Sequence, residues 1–233
     1  MSRQPPFAAV VWDVDGVLLD SEPLHFRALL EVCRRHGVSV SDRENEGMLG
    51  WSLPEVWELL SGRHRFFVSR EAWLREIVDE YVARVDGSLT RPRARETIAE
   101  IERRGLPQGC VSTAERRIVL ANLRAVGVLD LLRCRIARED VAATKPDPAP
   151  YLLAAERLGV DPRKCLAIED TPVGIAAAKA AGLFAVAWPN AMTAGLDFSP
   201  ADLRISSLDE LPWPRIDSRL DSCHRPVLTQ EAA

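Results

Sequence analysis

The sequence predicts an α/β fold, a doubly wound parallel sheet interrupted by an all-helical insert, on three observations. Short apolar or β-branched runs alternate with helical patterns, which suits parallel βα units. Glycines 105, 127, 159 and 182 each stand just past the last apolar position of a helical pattern, where a left-handed C-cap belongs. Between residues 22 and 86 the periodicity is helical throughout, with no convincing strand.

Taken in order, residues 10–13 read as the first strand, followed by strands at 109–112, 166–168, 184–187 and, with a weaker pattern, 203–206. The first three end at polar residues, the edge where a doubly wound sheet places its chemistry. Helices are expected over 97–104, 116–126, 149–158 and 173–181. In the insert, Leu24, Leu29, Val32 and Cys33 recur at helical spacing, and Ser52-Leu53-Pro54-Glu55 is a capping-box pattern before a second helix. Leu74, Ile77, Val78, Tyr81, Val82 and Val85 form the apolar face of a third. The expected organisation is a core of residues 1–19 and 89–213, a helical cap of 20–88, and a loosely held tail of 214–233.

The 233 residues are enough for a full core, and 47% hydrophobic with 27% charged residues is ordinary for a soluble globular chain. A net charge of −4 offers no basic footprint for nucleic acid or an anionic membrane. Cys33, Cys110, Cys134, Cys165 and Cys223 form no CxxC pair, which argues against a zinc site or disulfide framework and for a reducing, cytoplasmic setting. The apolar run after Arg3 ends at Asp13, too short for a signal peptide or a membrane span, and no later run is long enough to span.

Asp13-Val14-Asp15-Gly16 is the first unusual feature. Two carboxylates at the end of a buried strand cost free energy unless something positive is bound, and Gly16 permits a tight turn out of the strand. The alternative is a solvated strand end. Ser112-Thr113 brings hydroxyls and a helix N-terminus to a second strand end, as an anion site or as a simple cap. Lysine occurs only at positions 145, 164 and 179, and Lys145 lies in a stiff Pro-rich turn before a helix. Glu169-Asp170 places two like charges at another strand end, which again asks for a cation.

These four motifs, in this order, resemble those of the haloacid dehalogenase-like superfamily. The stretch Asp20-Ser21-Glu22-Pro23-Leu24-His25 is similar to its branch with a helical cap, which includes β-phosphoglucomutase and many phosphatases. The resemblance covers about residues 8 to 210 and implies a Rossmann-like core. It implies that Asp13 is the nucleophile and forms an aspartyl-phosphate, and that Asp15 is the acid–base partner. It further implies Mg²⁺ held by Asp13, the Asp15 carbonyl, Asp170 and Glu169, with Ser112, Thr113 and Lys145 on the phosphoryl oxygens.

Within that family, dehalogenases lack an acid at the position of Asp15, and phosphonate-cleaving members use a cap lysine, whereas no lysine precedes Lys145. Hydrolysis or mutase transfer is left. The cap stretch Glu46-Gly47-Met48-Leu49-Gly50-Trp51-Ser52 has no basic residue before Gly50, which weakens the mutase reading. His25 either serves substrate or acid–base positioning near Asp15 or packs at the start of the first cap helix. Trp51 and Trp57 either line a substrate pocket or pack the cap. Arg63-His64-Arg65 either greets an anion or is a solvated loop. The expected function is a Mg²⁺-dependent phosphatase acting as a monomer on a small phosphorylated metabolite. A β-phosphoglucomutase-like mutase is the alternative, and a non-catalytic binding module of the same fold stands behind it.

Overall fold

A computed structural model of the chain describes residues 7–41, 44, 48 and 53–216. Its strands are β1 (Ala9–Trp12), β2 (Gln108–Val111), β3 (Cys134–Ile136), β4 (Cys165–Glu169), β5 (Phe184–Ala187) and β6 (Leu203–Arg204). They form a six-stranded sheet in the order β3-β2-β1-β4-β5-β6, with every neighbouring pair parallel. The order reverses between β1 and β4, where Trp12 lies opposite Ile168. A crevice at the carboxyl ends of those two strands is the expected ligand site of such a sheet.

β1 is buried along its whole length because helices cover both faces. Val10 and Trp12 point to one side, against α4 (Ala94–Arg103) and α5 (Arg116–Val126). Ala9 and Val11 point to the other, against α6 (Ala149–Leu158) and α7 (Pro172–Ala180). The expected helices are all present, and α4 begins at Ala94, ahead of the expected residue 97. β3 was not expected: it is only three residues long and carries Arg135 at its centre, whose guanidinium donates to the Leu129 carbonyl at 2.7 Å. β2 extends back to the polar Gln108, fully buried because its amide accepts from the Trp12 indole at 3.0 Å and donates to Ile98 O at 2.9 Å.

Between β1 and β2 lie α1 (Glu22–Arg35), α2 (Leu53–Ser61) and α3 (Arg70–Arg84). Leu24, Leu29, Val32 and Cys33 of α1 meet Trp73, Ile77, Val78 and Tyr81 of α3 in one buried cluster, joined by Ile118 from α5. Trp57 belongs to this packing, 4.9 Å from the Phe66 ring and 5.2 Å from the Trp73 ring. Arg63 and His64 pair with Glu44 at 3.6 and 3.2 Å, and Arg65 stacks on Phe67, so the basic run makes its contacts within the insert. The two linkers run side by side: Asp20 N–H donates to Leu89 O at 2.8 Å and Arg91 N–H to Leu18 O at 3.0 Å.

Past Pro212 the chain stays packed for another short helix, α8 (Trp213–Ile216); Ile216 is buried and Arg215 O accepts from Phe7 N at 2.8 Å. Cys33, Cys110, Cys134 and Cys165 are free and buried, and Cys223 lies outside the described residues. Among the described residues no helix is long and apolar enough to cross a membrane.

Arg93, just before α4, has a left-handed backbone with φ 68°. A side chain in that region costs on the order of 1 kcal/mol, and its exposed ion pair with Asp209 at 2.9 Å offsets little of that. Arg93→Gly relieves that strain but adds unfolded-chain entropy worth about 0.4–1 kcal/mol, so it is expected to raise the urea midpoint only slightly, by roughly a few tenths of a kcal/mol in unfolding free energy. A lower midpoint would contradict strain at this position.

Candidate active site

The reversal point of the sheet gathers the residues singled out in the sequence. Asp13 follows β1 directly, its N–H donating to Ile168 O at 3.0 Å, while Glu169 ends β4 and Asp170 comes next. Ser112 follows β2, held by its N–H to Ile136 O at 2.9 Å. Lys145 reaches in from the turn before α6. Carboxylate oxygens of Asp13, Glu169 and Asp170 lie within 4.8 Å of one another, and all three residues are buried. Gly16 makes this closeness possible: at φ 83° it turns the chain, and a Cβ there would stand 2.2 Å from Asp170 Oδ2.

Lys145 is the cation at the centre. Its Nζ donates to Asp13 Oδ1, to Glu169 Oε1 at 2.6 Å and to Val111 O at 3.1 Å. The Tyr151 hydroxyl donates to the same Glu169 oxygen at 2.5 Å. Burial pulls the Lys145 ammonium down, but the charges of Asp13 and Glu169 outweigh it and hold it above its usual value. Burial pushes the Asp13 carboxyl well above the carboxylate range; Lys145 opposes the rise, and Glu169 and Asp170 add to it. Asp170 is pushed up to about 7, chiefly by burial and then by Glu169. An all-oxygen donor set with this excess of negative charge fits a hard divalent cation such as Mg²⁺.

Asp15 sits in a different environment, facing the helical insert. Its Oδ1 accepts from Ser21 Oγ at 2.8 Å and Asn122 Nδ2 at 2.9 Å, with His25 Nε2 at 3.5 Å. Its Oδ2 accepts from Ser112 Oγ at 3.2 Å. Burial raises this carboxyl, but the bonds from His25, Ser21 and Ser112 outweigh it and hold it below the usual range. His25 also stacks on Tyr81, with ring centroids 4.1 Å apart. Thr113 is exposed beside Ser112, whose Oγ accepts from Ala114 N at 3.0 Å. Gly50 and Trp51 lie outside the described residues.

Several contributors were not singled out in the sequence. Arg91 donates to the carbonyls of Gly16, Trp188 and Pro189 at 2.6, 3.0 and 3.0 Å while stacked 3.6 Å over the Trp188 ring. Asn190 donates to Asp170 Oδ2 at 2.8 Å. Asn190 follows the expected strand at 184–187, so extending the strand-end rule to it was an available signal. Tyr151, Asn122 and Tyr81 sit inside helical patterns where they read as packing, and nothing in their spacing separates them from core residues.

The chain as a whole is similar to known proteins. The family model for haloacid dehalogenase-like hydrolases matches residues 7–182. Hexitol phosphatase B of Escherichia coli (strain K12) is 34% identical over 223 residues, 91% of this chain and 97% of that protein. Validoxylamine A 7'-phosphate phosphatase of Streptomyces hygroscopicus subsp. limoneus is 30% identical over 219 residues, 90% of this chain and 98% of that one. The crystal structure of a CbbY mutant from Rhodobacter sphaeroides in complex with xylulose-(1,5)bisphosphate superposes with a TM-score of 0.78 at 28% identity, covering 91% of this chain and 99% of that one.

The Arg91 strap has a measurable consequence. Arg91→Ala takes this donor from the Trp188 and Pro189 carbonyls and leaves Gly16 O only the longer bond from Asn190 Nδ2 at 3.4 Å, and the expected loss is about 3 kcal/mol in urea denaturation. Arg91→Lys restores only part of it, because an ammonium has neither the fork nor the flat face. Full recovery by lysine would show that charge alone matters here.

Proposed function

From the premise that this chain belongs to the haloacid dehalogenase-like hydrolase family, we propose that it is a phosphatase that takes the phosphoryl group from a small phosphorylated sugar or polyol through Asp13. The observation that carries the reading is the meeting of Asp13, Lys145, Glu169 and Asp170 at the reversal of the sheet, with Asp15 and Ser112 alongside. The names of the two phosphatase relatives support a sugar-like substrate.

In the first step a carboxylate oxygen of Asp13 attacks phosphorus, the ester P–O bond breaks, and Asp15 gives its proton to the leaving oxygen. In the second, water attacks the phosphorus of the aspartyl-phosphate and gives its proton to Asp15. The Asp13–phosphoryl bond breaks and inorganic phosphate departs. Lys145 and Ser112 hold the phosphoryl oxygens, with Thr113 supporting through its backbone N–H. Asp13, Glu169, Asp170 and the Asp15 carbonyl would hold Mg²⁺, which when bound offsets the charge gathering on the phosphoryl group. Lys145 also keeps Asp13 and Glu169 oriented between turnovers.

The reading divides the chain into a catalytic core (1–19 and 89–213) and a cap (20–88), with the paired linkers as the hinge that admits water for the second step. His25 borders the substrate side of Asp15. A single chain acting in the cytoplasm completes it.

Phosphate release from a panel of sugar and polyol phosphates is expected to require Mg²⁺ and to stop on chelation. Asp13→Asn should lower kcat by roughly a thousandfold or more while the variant stays folded. Full activity in that variant would sink the nucleophile assignment, and isomerised sugar phosphate in place of free phosphate would replace hydrolysis with mutase transfer.

A further inference from the structure

The surroundings of Asp15 contain two groups that none of the roles above uses, Asn122 on α5 and Tyr81 on α3. Both are fully buried. Asn122 Nδ2 donates to Asp15 Oδ1 at 2.9 Å, and the Tyr81 hydroxyl donates to Asn122 Oδ1 at 2.8 Å. The sense of the amide follows from chemistry: Asp15 Oδ1 accepts whether the carboxyl is ionised or carries its proton on Oδ2, so the NH₂ end faces Asp15 and the oxygen faces the Tyr81 hydroxyl. A buried amide next to an apolar helix pair would be a liability without both bonds. The chain thus spends two buried polar side chains to clamp one carboxylate oxygen.

The clamp also selects which oxygen is available. With Oδ1 occupied by Asn122, Ser21 and His25, Oδ2 is the atom turned to Ser112, the hydroxyl beside the proposed phosphoryl position. Tyr81 belongs to the helical insert and Asn122 to the core, so the second bond of the relay crosses between them. It closes only when α3 is docked on α5, as it is here, with Ile118 of α5 inside the insert's apolar cluster.

We propose that Tyr81 and Asn122 are positioning residues that aim Asp15 Oδ2 at the leaving oxygen and make that aim depend on the docking of α3. This rests on Asp15 being the acid that protonates the leaving group. Removing the Tyr81 hydroxyl leaves Asn122 Oδ1 without its donor, so the amide is no longer held from behind and its bond to Asp15 Oδ1 loses its fixed direction. The ring of the phenylalanine variant still stacks on His25, so packing is kept.

The test uses leaving-group dependence, which a purely structural role would not move. Single-turnover phosphoryl transfer to the enzyme is measured with the best alkyl phosphate of the panel and with 2,4-dinitrophenyl phosphate, whose leaving group needs no proton. Asp15→Asn serves as the reference and should slow the alkyl ester far more than the aryl ester. Tyr81→Phe and Asn122→Leu should show the same selectivity, each slowing the alkyl ester by on the order of ten- to a hundredfold and sparing the aryl ester. The double variant should be no slower than Asn122→Leu, because the two act in series. If Asn122→Leu fails to fold, Tyr81→Phe decides alone. Equal losses on both esters, or no loss, with Asp15→Asn still selective, overturn the relay only. An unselective Asp15→Asn overturns the acid assignment and the relay with it.

Discussion

Like charges crowded into a buried place set the terms for the rest of this fold. Among the described residues, Asp13, Glu169 and Asp170 bring carboxylate oxygens within 4.8 Å, and the ammonium of Lys145 bonds to two of the three. Each carboxylate loses its hydration on burial and repels the others, which is why Asp13 and Asp170 are driven up from their ordinary range. A core that only had to be stable would not be built this way. The arrangement makes sense where a cation and a phosphoryl group are to be held at one point, because the site then supplies fixed charges that need no rearrangement during the reaction.

Much of the surrounding structure serves to hold that crowding in place. Parallel pairing of β1 with β4 sets Asp13 next to Glu169 and Asp170, and Gly16 removes the Cβ that would collide with Asp170. Gly174, in the first turn of α7, does the same for Glu169: a Cβ there would stand 2.0 Å from its carboxylate oxygen. Arg91 ties the second linker to Gly16 and to the loop carrying Asn190, which in turn holds Asp170. The linker that carries the helical insert is thus bonded to the same turn that carries Asp13 and Asp15.

The sheet and most helices were legible because their signals are local: fully apolar runs such as Ala9–Trp12, and helices stopped by glycine. β3 was not, since three residues around a charged Arg135 carry no period. The residues of the site were legible in proportion to how odd they look at a strand end. Asp13, Asp15, Glu169 and Asp170 are charged at the ends of apolar runs, and Lys145 is one of only three lysines, set in a Pro-rich turn. Asn122, Tyr81 and Tyr151 escape because each is a lone polar side chain on a helix face that otherwise packs, and their partners are 107, 41 and 18 residues away. Side chains that work through tertiary contact leave no spacing to read.

As the proposed nucleophile, Asp13 must become covalently phosphorylated during turnover. Acid quench of the enzyme within milliseconds of mixing with Mg²⁺ and a ³²P-labelled substrate, followed by peptide mapping, tests it directly. Label is expected on the peptide containing Asp13, lost in base or hydroxylamine as an acyl phosphate is and missing in Asp13→Asn. Turnover of the same substrate with no label on that peptide at any time would contradict it.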